Sequence, residues 1–145
     1  MKRYITLLFA ALALCSCNKT TEPTEPMIDV TPTTIAGLWM LESYENGKAL
    51  SEGSYVYIEF ERADRSYTLY QNVGSMYEQV KRGNYFIEID SELGAVIRGN
   101  YGSEEYNYHD WNSRYIVEMT ANKMRWTATN DSNDISVYVR VESRE

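Results

Sequence analysis

From Gly37 to Val141, apolar and polar residues alternate in short runs separated by turn residues. Val56, Ile58 and Phe60 share one face of a segment whose other face carries Tyr57, Glu59 and Glu61. Period-two alternation of this kind gives a strand one dry face and one wet face. The pattern predicts eight strands. Five lie over residues 37–44, 55–61, 66–72, 77–90 and 95–101. A sixth carries Tyr115, Val117 and Met119, and a seventh Met124, Trp126 and Ala128. The last runs over 135–141, with Ile135, Val137, Val139 and Val141 read as its dry face and Ser136, Tyr138 and Arg140 opposite. Asn46-Gly47, Gly74, Thr120-Ala121-Asn122 and residues 130–133 supply turns. Gly83 predicts a bulge or bend inside the long fourth strand. No apolar periodicity of helical length occurs after residue 35.

Consecutive hairpins imply an up-and-down meander. Eight such strands close on themselves and remove both sheet edges. The expected fold is therefore all-β, an eight-stranded up-and-down antiparallel barrel over residues 35–145. An immunoglobulin-like sandwich is the alternative. It needs long connections between two sheets, and few linkers here are long enough. Trp39, Phe60, Tyr67, Tyr85, Met119, Met124 and Trp126 are expected to point inward. Side chains of this size either fill a short barrel or leave a small cup.

The chain ahead of the barrel reads differently. Lys2 and Arg3 precede an unbroken apolar run from Ile5 to Leu14. That run is too short for a membrane span of about 20 residues and has the order of a secretory signal. Its end, Leu14-Cys15-Ser16-Cys17, resembles a lipoprotein signal-peptidase box. The resemblance implies cleavage before Cys17 and acylation of its thiol, so residues 1–17 would be the signal and Cys17 the lipidation site. Cleavage after Ala11-Leu12-Ala13, releasing a soluble product, is the alternative. Residues 18–34 contain Pro23, Pro26 and Pro32 among many threonines and read as an extended tether. At about 3 Å per residue it would reach roughly 50 Å. Met27-Ile28-Asp29-Val30 is a possible edge strand, limited by Pro32. Asn18 does not resemble the aspartate of an inner-membrane retention signal, which favours the outer membrane.

Charge and cysteine usage narrow the partners. All 21 acidic residues follow Cys17, whereas Lys2 and Arg3 precede it; 12 cations then face 21 carboxylates, a net charge of −9. This argues against nucleic acid, whose binding depends on cationic neutralisation of phosphate, so no nucleic-acid partner is expected. No cysteine follows Cys17, so the domain relies on its core rather than on disulfides.

Gly37-Leu38-Trp39 opens the first strand with a G-x-W spacing that resembles the first-strand signature of lipocalins. Val139-Arg140-Val141 sits where those barrels place an arginine across the tryptophan. Ile58-Glu59-Phe60, Tyr67-Thr68-Leu69-Tyr70, Gly83-Asn84-Tyr85-Phe86-Ile87 and Met119-Thr120 to Met124 follow in an order similar to that of short lipocalin-like lipoproteins common in Bacteroidetes. The resemblance covers residues 37–141. It implies that Trp39 and Arg140 form a structural pair closing the barrel, and that the interior is a cup for a small apolar ligand.

Site chemistry is sparse. His109 is the only histidine; Glu104, Glu105 and Asp110 lie near it, but zinc sites draw on several nitrogen or sulfur ligands, so no metal and no cofactor is expected. No serine has a G-x-S-x-G setting and no catalytic thiol is present, so no enzyme activity and no catalytic residue is expected. Residues 99–113 instead gather Tyr101, Tyr106, Tyr108 and Trp111 in what reads as a loop at the barrel mouth, where function concentrates. With Tyr67, Tyr85 and Trp126 these are the candidate ligand or contact residues. A long hairpin with tyrosines paired across strands is the structural alternative. Two functions remain open. One is a lipid-anchored envelope barrel binding a small apolar or amphipathic ligand. The other is a filled, non-catalytic module contacting an envelope partner through the aromatic loop.

Overall fold

The structure, a computed structural model, describes residues 24–144. The expected signal and cleavage box over residues 1–17, Cys17 included, and residues 18–23 of the expected tether lie outside the described residues. Nine strands follow a single turn of helix: α1 (Pro32–Ile35), β1 (Gly37–Ser43), β2 (Val56–Phe60), β3 (Ser66–Gln71), β4 (Gln79–Asp90), β5 (Gly94–Ser103), β6 (Asn107–Asp110), β7 (Tyr115–Met119), β8 (Lys123–Ala128) and β9 (Asp131–Val141). Every pairing between them is antiparallel. β1, β2, β3, β4, β5, β7, β8 and β9 form a closed eight-stranded barrel, and β1 pairs β9 to complete the ring. The sandwich alternative is thereby excluded.

One end of the barrel, here the base, holds the start of β1 and the end of β9. The other end, the mouth, holds the turns after β1, β3 and β8. Short hairpins explain the order, because each strand returns beside its predecessor without crossing the sheet. The dry faces meet inside. Trp39, Phe60, Tyr85, Ile97, Met119 and Met124 are almost completely buried in one cluster with Tyr67, Trp126 and Tyr138. Phe60 meets Tyr85 edge to face at 5.0 Å, a geometry that suits the ring quadrupoles.

β4 changes partner half-way. Gln79 to Asn84 pair with β3, and Tyr85 to Asp90 pair with β5. The switch falls beside Gly83, where a Cβ would lie 1.9 Å from the Asn100 carbonyl oxygen. Glycine is needed there because two backbones approach closely.

Residues 99–113 form the hairpin weighed above against a loop: β5 runs on to Ser103 and pairs with β6, its tyrosines standing opposite His109 (Tyr101) and Gly102 (Tyr108) rather than opposite one another. Two sequence expectations change. The faces of the last strand are exchanged. Trp39 pairs Arg140 and Leu41 pairs Tyr138, so Tyr138 and Arg140 face inward while Val137 and Val139 are half-buried on the outside. The outer surface of β1 also carries apolar residues, Leu38 and Met40, opposite Val141 and Val139. Both faces of this strand pair are thus partly dry, and alternation alone assigns the wrong one. Finally, residues 24–34 are not a free tether. Ile28 N–H donates to the Met119 carbonyl at 2.9 Å, and Val30 is buried. Glu25 accepts hydrogen bonds from Thr120 Oγ1 (2.6 Å) and Asn122 Nδ2 (2.8 Å). Thr31 caps α1 in a reciprocal box with Thr34, with Pro32 in the first turn. Isolated apolar residues in a Pro/Thr-rich stretch suffice to hold it once a barrel end offers them a surface.

Candidate functional site

At the base, the backbone is laid over the barrel end and pinned. Gly37 has φ +112°, and a Cβ there would stand 3.0 Å from Arg140 Nη1. Only glycine adopts that conformation without strain, and it lets the chain turn from α1 into β1 beside the guanidinium. Arg140 lies over the Trp39 ring at 4.1 Å. Its Nε donates to the Ala121 carbonyl (2.8 Å), Nη1 to that of Ala36 (2.7 Å) and Nη2 to that of Thr34 (2.7 Å). Trp39 Nε1 donates to the Ile35 carbonyl at 2.8 Å. All these partners are backbone carbonyls and one ring face, so this end of the barrel is sealed.

The mouth is different. A cavity of about 270 Å³ opens there. Its walls are aromatic: Tyr67, Tyr101, Trp111, Tyr115, Trp126 and Tyr138, with Ile58 and Leu69. Lys81 and Asn112 supply its polar edge. Trp111 is held from three sides. Its backbone N–H donates to the Gly99 carbonyl (2.8 Å), and its indole N–H donates to Tyr67 Oη (2.8 Å). Tyr67 in turn donates to the Asn100 carbonyl at 2.7 Å. A Cβ on Gly99 would lie 2.5 Å from the indole, so the missing side chain is what lets the ring settle. Trp126 stacks at 5.9 Å from Trp111, 5.3 Å from Tyr115 and 5.1 Å from Tyr138. Below this layer the interior is filled by the core cluster.

Tyr67, Trp111 and Trp126 therefore come together as the sequence pattern suggested. Tyr101 stands at the edge, its ring 5.4 Å from Lys81 Nζ. Tyr106 and Tyr108 are exposed on the β5–β6 hairpin and do not line the cavity. Tyr85 is fully buried, donates to the Glu61 carbonyl (3.1 Å) and does not line it either. His109 lies exposed beside Tyr101, rings 5.5 Å apart. Among the described residues no three His, Cys, Asp or Glu side chains gather as metal ligands. The sequence reading missed Lys81, Tyr115 and Tyr138. Lys81 shares the parity of Gly83 and Tyr85 and Tyr115 that of Val117, so alternation contained both; Tyr138 was placed on the wrong face.

Burial raises the pKa of the Tyr67, Tyr115 and Tyr138 phenols, Tyr138 most of all, because a charged phenolate is poorly solvated there. An acid whose pKa is higher folded than unfolded contributes stability that is complete below the unfolded value and lost as pH rises toward the folded one. Stability should therefore fall above about pH 10, the ordinary tyrosine value. Tyrosinate absorbance followed together with circular dichroism should show these phenols ionising only as the barrel unfolds. Ionisation in a still-folded barrel would show the mouth to be well hydrated.

Comparisons of the chain with protein-family models, with curated proteins and with solved structures find no match.

Proposed function

We propose that this chain is a lipid-anchored, lipocalin-like envelope protein, held by acylated Cys17 in the outer membrane, whose barrel mouth binds a small flat apolar or amphipathic molecule. The aromatic cavity of about 270 Å³ carries the ligand reading. Ligand sites are concave, mostly apolar and fixed by a few polar groups, with volumes from about 300 Å³ upward. This one lies just below that range and suits a molecule with one or two rings. Lys81 offers the edge a cation for a polar or anionic substituent. The anchor reading rests on the order of the first seventeen residues.

Two measurements test the parts separately. Cys17→Ser should abolish metabolic labelling with palmitate; undiminished label would end the anchor reading. For the cavity, indole titrated into the labelled protein should shift amide resonances of Trp111, Trp126 and Tyr138. Trp111→Leu should weaken binding by about tenfold, the loss of one aromatic wall, and Tyr106→Ala should leave it unchanged. Loss in Tyr106→Ala alone would favour the second reading, a contact module for an envelope protein, which the exposure of Tyr106 (73%) and Tyr108 (51%) supports.

A further inference from the structure

The β4–β5 hairpin overhangs the base. Past Asn84, β4 has lost β3, and Tyr85 to Asp90 pair only with Gly94 to Gly99. The barrel-side face of this overhang stays apolar through Ile87, Ile89 and Ala95. The N-terminal segment covers its first part: Ile28, Ile87 and Ala95 pack against the core. It stops short of the rest. Ile89 is 77% exposed, with Met27 (62%) and Leu93 (40%) beside it along an open groove of about 650 Å³.

The position of the chain names the occupant. Thr24, the first described residue, is seven residues from Cys17. Seven residues span at most about 25 Å in any conformation. An acylated Cys17 thus keeps the base close to the bilayer. The β5–β6 hairpin tip lies a further ten-residue strand away, about 30 Å at strand rise. Asp29 and Glu118 line the groove, Glu118 paired with Arg125 at 3.5 Å, and Asp90 and Glu92 adjoin Ile89 and Leu93 in sequence; this acidic edge disfavours an anionic surface and fits a zwitterionic one. We infer that Met27, Ile89 and Leu93 rest on the zwitterionic phospholipid surface that holds the anchor, turning the aromatic mouth away from it. This inference depends on the anchor reading.

The test uses the full chain extracted from its host membrane, with the acyl mass on Cys17 first established by mass spectrometry. The described residues contain no cysteine, so Ile89→Cys and Tyr106→Cys each accept one nitroxide. In phosphatidylcholine–phosphatidylethanolamine vesicles, the ratio of oxygen to nickel-chelate collisions should rise at position 89 and stay unchanged at 106. An unchanged ratio at 89 on acylated protein overturns the docking and leaves the anchor intact. Spin–spin broadening at 89 overturns it in favour of a second copy. Absence of the acyl mass overturns the anchor and the docking with it.

Discussion

Replacing Trp39 with alanine should destabilise the barrel by about 3 to 5 kcal/mol, the range for a fully buried large aromatic. The ring is 0% exposed and belongs to the core cluster. Its loss also leaves the Ile35 carbonyl without its indole donor and Arg140 without its π face. Arg140→Ala tests the other half of the seal. Charge-assisted hydrogen bonds contribute roughly 1.5 to 3 kcal/mol each at their strongest, and cation–π contact about 0.5 to 2 kcal/mol. Because Arg140 is only partly buried, a total of about 2 to 4 kcal/mol is expected. Arg140→Lys should recover little of it, since one ammonium cannot reach three divergent carbonyls. Urea denaturation measures all three. A loss below about 1 kcal/mol for Trp39→Ala would show that the ring is not a structural plug.

Gly83→Ala should be the second severe change. Its Cβ would stand 1.9 Å from Asn100 O and 2.9 Å from Tyr101 Cα. These are backbone atoms, so no rotamer change relieves the overlap; β4 or β5 must move. A cost of about 3 kcal/mol or more is expected, at the upper end for overpacking. The turn glycines give the control. Gly74 has open space around its Cα, so any penalty there comes from its φ of +70° alone and should be about 1 kcal/mol. Gly99→Ala should lower both stability and binding, because its Cβ would meet the Trp111 indole at 2.5 Å and the Asn84 carbonyl oxygen at 2.8 Å. If Gly83→Ala and Gly74→Ala cost the same, the close approach at the partner switch does not exist in solution.

The barrel was legible in the sequence because each strand's pattern agrees with its neighbours. Alternation in residues 56–60 and 85–89 and turn residues such as Asn46-Gly47 all point to short hairpins. The G-x-W spacing has a physical content of its own: Gly37 supplies a positive φ that Trp39, two residues on, needs to enter the barrel beside Arg140. The site was less legible. Trp111 reaches the cavity because Gly99 is bare and Tyr67 Oη accepts the hydrogen bond of its indole N–H, both of which depend on contacts across distant strands. The facing of Tyr138 was lost because valines alternate with it on an outer face that is itself half-dry. Residues 27–30 were legible only as an edge strand, which the single bridge from Ile28 to Met119 realises in part; the rest of the packing of residues 24–34 leaves no periodic trace, because it rests on two or three contacts among prolines and threonines.

The pairing of β1 with β9 joins residues about a hundred positions apart. Such long-range contacts are slow to form. During synthesis, β1 can pair with β2 early but must wait for almost the whole chain before its other flank is satisfied. For that interval Leu38 and Met40 border an open ladder, the setting in which unfinished sheets stick to one another. A chain interrupted before β9 would therefore be a cohesive open sheet rather than a smaller barrel, and its safe handling would fall to whatever holds nascent chains apart.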